Sequence, residues 1–188
     1  VTQYVYNGDY GSNKVKFGAY YGGSSKRNIK NVDLKNNRKN TWGTGLIFDH
    51  EIDSIQNVTV AAGFTREISE NANKTAYYSN AYALGLAYNF VHTTYGLDLA
   101  HKDTKNKDGA GNKVKNNEVT AVIRQGLNED WNVYAMYSYK TEKTLPVGSA
   151  YSKSTDRQFL VGTEYYVYNQ GSLKVKPFIE WQATRTKY

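Results

Sequence analysis

Short turns alternate with long loops along this chain, and between them apolar residues recur at every second position. The four turns cover residues 53–56, 91–93, 128–130 and 169–172. The long stretches, rich in Lys and Asn, cover residues 22–40, 69–79, 103–117 and 142–156. This alternation is typical of an up-and-down antiparallel β-barrel that crosses a membrane, with tight turns at one rim and variable loops at the other.

Nine segments keep the period of two that places successive side chains on opposite faces of a strand. They cover residues 14–21, 42–49, 57–68, 80–90, 95–102, 118–127, 131–141, 157–168 and 173–184. Residues 1–7 add a tenth predicted strand, and 29–35 is a weaker candidate within the first long loop. We therefore predict an all-β fold of about ten strands, forming one domain over residues 1–188.

The end of the chain leaves two ways to complete such a barrel. The alternation breaks after Thr184, so residues 1–7 close the sheet against 173–184, or a closing strand lies outside this sequence. Twelve strands is the alternative count, if 29–35 pairs and a terminal strand is missing.

Composition fits a β-barrel and excludes a helical membrane protein. No stretch approaches the 18 or so apolar residues that a spanning helix needs. The mean hydropathy is negative, which is compatible with membrane strands because half of their side chains face away from lipid. The 188 residues include no Cys, so no disulfide framework is expected.

The two predicted faces of the strands differ in chemistry. One face is apolar and carries no charge, as in Val58, Val60, Ala62 and Phe64, whereas the other mixes small and charged residues. Bulky aromatic residues stand near segment ends, as girdles at a membrane surface do: Phe90, Tyr95, Trp131, Tyr165 and Trp181. A soluble barrel of the lipocalin type is the alternative, with the apolar face inside. That barrel would have to satisfy many buried Tyr hydroxyls, so we predict a bacterial outer membrane location.

Charged residues on the other face are the candidate functional residues. The predicted pore-lining cations are Lys14, Lys16, Arg124, Lys140, Lys174 and Lys176, and the predicted acids of the lumen are Asp98, Glu164 and Glu180. Most of the lysines adjoin short turns, which puts them at the periplasmic mouth. Cations along a narrow wet passage favour anions, and the net charge of +7 adds to that field. Alternatively, these acids and bases pair across the lumen and seal it.

These features predict a channel for small anionic solutes, with membrane lipid as its surroundings. The alternative is a sealed barrel that acts as an adhesin, scaffold or partner-binding subunit through the basic loops 22–40 and 103–117. Nucleic acid binding is not expected, because the basic residues and the aromatic residues occupy different faces. His50, His92 and His101 show no metal-ligand spacing, so we predict no enzyme, no metal and no cofactor.

Two segments resemble a known family. Residues 124–140 (RQGLNEDWNVYAMYSYK) are similar to a strand–turn–strand of the KdgM family of oligogalacturonate-specific porins. So are residues 162–183, where the run KPFIE at 176–180 is similar to the family's ascending strand before its last hairpin. The resemblance implies a monomeric twelve-stranded barrel whose basic lumen guides acidic oligosaccharides. That role is carried over to residues by the strand face on which they are predicted to lie, and not by matched motifs: Lys14, Arg124, Lys140, Lys174 and Lys176. The family closes with a strand ending in an aromatic residue, a pattern from which residues 184–188 depart.

Overall fold

Ten antiparallel strands form one sheet, each hydrogen-bonded to the next along the chain. The computed structural model describes residues 2–23, 37–70, 76–106, 113–145, 152–170 and 173–188. The strands of the sheet are β1 (Thr2–Tyr10), β2 (Asn13–Gly22), β3 (Asn37–Asp53), β4 (Gln56–Glu70), β5 (Ala76–Phe90), β6 (Thr93–Asn106), β7 (Lys113–Gly126), β8 (Trp131–Leu145), β9 (Ser152–Tyr165) and β12 (Phe178–Lys187). A separate small hairpin consists of β10 (Tyr168–Gln170) and β11 (Leu173–Val175). The predicted all-β, up-and-down architecture of ten strands is confirmed.

The short turns all lie at one rim, and side-chain oxygens shape two of them. In the β3–β4 turn, Asp53 Oδ1 accepts the backbone N–H of Ile55 at 2.9 Å. In the β7–β8 turn, Asn128 Oδ1 accepts the N–H groups of Asp130 at 3.0 Å and Trp131 at 2.8 Å. Asp and Asn favour turns because their side chains bond to the backbone two residues on. The strand ends joined by the connections β2–β3, β4–β5, β6–β7 and β8–β9 lie at the opposite rim, and the connections themselves, apart from Gly23, fall outside the described residues.

The strand register places the predicted apolar residues on one continuous face. Val60 is opposite Leu86, which is opposite Leu97, and the same row continues to Ala121. At the short-turn rim this face ends in the predicted aromatic residues, where Trp131 is opposite Tyr165. Trp181 is different, because it lies opposite Val161 in the middle of the apolar rows.

The sheet is a single wall whose apolar face is exposed. Within the described ranges no hydrophobic side chain is buried, and Leu86 and Phe159 are 41% and 44% exposed. Apart from Gly22 and Gly43, the buried residues of this part of the chain are polar: Thr41, Ser138, Thr141 and Glu164. A soluble lipocalin-like barrel would bury its apolar face as a core, so this arrangement favours the membrane wall over that alternative. The described residues hold no helix that is long and apolar enough to cross a membrane.

The C-terminal end differs from the sequence-based expectation. A single strand was expected over 173–184, but β11 pairs with β10 at the rim, and β12 begins only at Phe178. Pro177 separates them, since proline has no N–H to donate to a ladder. The expected strand 157–168 likewise ends at Tyr165. Beyond Thr184 the expected break is absent, because β12 stays paired with β9 as far as Lys187.

The edges of the sheet are β1 and β12. Among the described residues these strands do not pair with each other, so the first of the two alternatives, closure of residues 1–7 against 173–184, is not found. Residues 2–7 of the predicted first strand do form a strand, which extends to Tyr10, and Val1 lies outside the described residues. The weaker candidate at 29–35 lies outside the described residues.

Candidate functional site on the polar face

The polar face is the side of the sheet opposite the apolar rows, and its two halves differ in side-chain size. Over β2–β6 its middle is built from glycine and alanine, and these residues leave a recess of about 590 Å³. The small residues of this recess include Gly18, Gly45, Ala61, Gly63, Ala83 and Gly85. Lys16 and Asp98 also line it, together with the larger apolar side chains of Val5 and Ile47. Over β7–β9 and β12 the same face instead carries larger side chains, among them the charged Arg124, Lys140 and Glu164.

Glu164 lies at the centre of a charged cluster near the short-turn rim. Its carboxylate accepts a hydrogen bond from the Arg124 guanidinium and is 2.6 Å from Lys176 Nζ. The Glu164 side chain is 11% exposed, whereas those of Arg124 and Lys176 are 44% and 35% exposed. A buried carboxylate is stable only with such partners. Lys176 also lies over the ring of Tyr166, 5.4 Å from its centroid.

A tyrosine and a glycine extend this cluster to the edge strand. Tyr134 on β8, Gly162 on β9 and Glu180 on β12 occupy one row of the register. Because Gly162 has no side chain, the Tyr134 ring lies across it, and its hydroxyl donates to Glu180 at 2.6 Å. A Cβ at Gly162 would stand 2.5 Å from Tyr134 Cζ. Glycine is therefore required for this contact.

Three of the other predicted cations occupy the polar face singly. Lys14 and Lys16 are on β2 beside the short-turn rim, and Lys14 is opposite both Asp9 and Asp49. Lys140, on β8, lies between Glu118 and Asp156 of the neighbouring strands. These further cations are thus not gathered around Glu164. The backbone of Lys174 belongs to the small hairpin, and its side chain lies outside the described part.

Acidic residues outnumber basic residues on this face in the described strands. The acids are Asp9, Asp49, Glu51, Glu67, Asp98, Glu118, Glu142, Asp156, Glu164 and Glu180, and the strand cations are Lys14, Lys16, Lys102, Arg124 and Lys140. Three of these acids, Asp98, Glu164 and Glu180, are among the residues predicted from the sequence. The other acids also alternate with apolar residues along their strands. The same alternation therefore could have assigned them to the polar face from the sequence.

The histidines form no catalytic pair in the described residues. Asp98 faces the polar side and His101 the apolar side, as the spacing of three predicts. His101 instead lies 3.1 Å from Asp103, and its Nδ1 is 2.7 Å from Asn117 Oδ1. Ser138, a hydroxyl that could act as a nucleophile, donates to Glu118 at 3.3 Å. No three His, Asp or Glu side chains of the described segments form a group that could hold a metal ion.

Comparisons with known proteins support the fold. Neither protein-family models nor curated protein sequences give a match. A solved structure of OmpTdeltaL8, a loop L8 deletion mutant of OmpT, an outer membrane protein of Vibrio cholerae, is similar with a TM-score of 0.64. The match covers 98% of this chain at 14% identity, and this chain spans 57% of the length of that one. The chain thus has the fold of an outer-membrane β-barrel, which together with its exposed apolar face supports the predicted location in a bacterial outer membrane.

Proposed function

We propose that this chain forms the wall of an outer-membrane channel for small charged solutes. The observation that carries the proposal is the recess of about 590 Å³ among small residues of β2–β6 on the polar face. A wall that served only to seal a barrel would be expected to fill this face with bulky side chains. Glycine and alanine leave room for water and solute there.

Anionic solutes, including acidic oligosaccharides, are the class that we propose for this channel. The net charge of +7 and the resemblance of residues 124–140 and 162–183 to oligogalacturonate-specific porins support this class. The acids of the polar face oppose it, and Glu164 already neutralises part of the charge of Arg124 and Lys176. The preference for anions is therefore expected to be modest and to depend on these pairs.

Planar-bilayer conductance of the folded protein tests the channel. We expect stepwise currents when the folded protein is added in detergent. The same amount of detergent without protein should give no current. Folded protein that carries no current would contradict the channel. It would favour the sealed barrel that works through its basic loops.

Reversal potentials in a salt gradient test the role of the Glu164 cluster. Glu164→Gln releases two cations, so it should shift the reversal potential toward anion preference, whereas Arg124→Gln should shift it toward cation preference. Arg66→Gln is the matched control, because Arg66 lies on the apolar side and stacks on Tyr78. Shifts of the same sign for both cluster variants would contradict the assignment of these side chains to the passage.

We propose no catalytic role for the chain. A hydrolytic centre needs a nucleophile with a general base in hydrogen-bond reach. In the described residues Ser138 is bonded to Thr120 and Glu118, whereas His101 faces the other side of the sheet. Incubation of the reconstituted protein with a pool of labelled peptides and oligosaccharides should leave them uncleaved.

A further inference from the structure

Basic residues continue the apolar face toward the long-loop rim. Directly beyond the row of Tyr137, Phe159 and Ala183 comes a row in which Arg157 is opposite Arg185. The following rows bring Lys187, and then Lys115, Lys143 and Lys153, which are opposite one another in sequence. We name these six cations the outer basic belt: Lys115, Lys143, Lys153, Arg157, Arg185 and Lys187. They are on the lipid side of the wall, not on the polar face.

The cations of the belt lie opposite one another, and their mutual repulsion lowers the stability of the sheet. Like charges that are directly opposite on neighbouring strands destabilise a sheet, and Arg157–Arg185 and Lys143–Lys153 are such pairs. Within the described segments none of these four side chains has a carboxylate in ion-pair distance. Asp103, on the same face and directly opposite Lys115 of the belt, is already shared by His101 at 3.1 Å and Lys113 at 3.8 Å. Among the described residues, Arg157, Arg185, Lys143 and Lys153 therefore lack a carboxylate that would balance their charge.

The densest part of the belt encloses a recess. Its volume is about 550 Å³, and it is lined by Tyr139, Lys153, Thr155, Arg157, Arg185, Lys187 and Tyr188. The Arg157 guanidinium lies 5.8 Å from the centroid of the Tyr139 ring, which holds one face of the guanidinium and leaves its N–H edge free. Arginine edges bind phosphate through two parallel hydrogen bonds.

The position of the recess identifies the source of the phosphate. The apolar side chains next to it are exposed, with Tyr137 at 46%, Phe159 at 44% and Trp181 at 58%. A lipid whose acyl chains lie along these side chains has its headgroup at the level of Arg157 and Arg185. The long loops of an outer-membrane barrel face outward, so this level belongs to the outer leaflet.

We propose that the outer basic belt binds the phosphate groups of a phosphorylated lipid in the outer leaflet, through Arg157, Arg185 and Lys153. The belt is on the opposite face from the proposed passage, so this inference stands whether or not the barrel conducts. Basic pockets at the membrane surface recognise anionic headgroups by the same physics.

Lipid retention by the full chain tests the proposal. The protein is reconstituted in phosphatidylcholine vesicles with or without lipid A, a phosphorylated glycolipid, and then extracted in neutral detergent. We expect lipid A to be retained, and Arg157→Gln with Arg185→Gln to weaken its binding about 30-fold, as the loss of two interfacial cations predicts. The control carries Arg66→Gln and Lys102→Gln, one cation on each face outside the belt, and should bind like the wild type.

Three results would overturn the proposal. The first is equal retention of lipid A by the belt variant and the wild type. The second is competition by inorganic phosphate at the concentrations at which the lipid binds, which would indicate a site for soluble anions. The third is a dimer that forms equally with and without lipid A and is lost in the belt variant, since a second copy would then be the partner of the belt. Failure to fold is checked in phosphatidylcholine alone, where the belt variant should melt no lower than the wild type because like-charge repulsion is relieved.

Discussion

Glycines in the sheet let tyrosine side chains reach across a neighbouring strand. Gly162 lets the Tyr134 ring cross β9 and reach Glu180. The same arrangement recurs at the other end of the sheet, where Tyr20 lies over Gly43 and its hydroxyl is 3.1 Å from Thr65 Oγ1. A tyrosine thus links two strands that are not neighbours, which stiffens a sheet that has only one layer.

The contact predicts unequal costs for two Gly→Ala substitutions. Gly162→Ala should lower the free energy of unfolding, because its Cβ would displace the Tyr134 ring. Gly18→Ala should cost little, since its Cβ would meet only a backbone oxygen of Tyr4, at 3.9 Å. Urea titration in micelles measures both. In a double-mutant cycle Gly162 and Tyr134 should couple by about 0.5–3 kcal/mol, and additive effects would contradict the contact.

One residue in a short turn has a strained backbone conformation. Val91, in the turn between β5 and β6, has a φ of 53°, a left-handed conformation that β-branched residues rarely adopt. Its N–H donates to the Ile55 carbonyl of the adjacent turn at 2.9 Å, and this bond helps to hold the conformation.

Replacing Val91 should therefore stabilise the protein. Val91→Asn keeps the N–H and suits a positive φ, so we expect the free energy of unfolding to rise by about 1–2 kcal/mol. Ile55→Asn is the control, because Ile55 is equally exposed in the neighbouring short turn but has no positive φ. A gain of the same size in both variants would mean that removal of an exposed apolar side chain, and not strain, is the cause.

The two faces of a strand predict different penalties for the same substitution. Leu86→Lys, on the apolar face, should cost about 2–4 kcal/mol in a bilayer, whereas Ala83→Lys on the polar face should not pay that penalty. Ala83 is a better control than the neighbouring glycines, because a Cβ at Gly85 would stand 2.9 Å from Asp98 Oδ1. Equal folding costs in lipid vesicles would contradict the assignment of the faces.

The period-two alternation could predict the strands and their faces. It did not predict correctly where the strands at the C-terminal end of the chain begin and end. Most strands follow the expected segments, because in a membrane wall one face of each strand contacts lipid and the other contacts water, and the side chains alternate accordingly. Pro177 interrupts the last segment, and Arg185 and Lys187 continue a strand above the apolar rows, where charge no longer conflicts with lipid. The pairing of Arg124 and Lys176 with one carboxylate could not be predicted, since it depends on register between β7 and β9, two strands apart.

Across the whole molecule, all short turns at one rim predict a single orientation. The chain has no Cys, so one introduced thiol can be followed without background. On intact cells Ser152→Cys, at the start of β9 after a long connection, should react with a membrane-impermeant maleimide. Ser54→Cys, in the β3–β4 turn, should react only after the outer membrane is made permeable. The reverse pattern would place the outer basic belt in the inner leaflet.

The absence of buried hydrophobic side chains in the described residues has a consequence for the life of the chain before it reaches its membrane. Here lipid takes the place that a protein interior takes elsewhere, so a newly made chain in water cannot complete its own hydrophobic collapse. Its unpaired strand edges and apolar rows would aggregate on the way. We therefore expect that transit across an aqueous compartment needs a binding factor that covers these rows and releases them only where acyl chains are available.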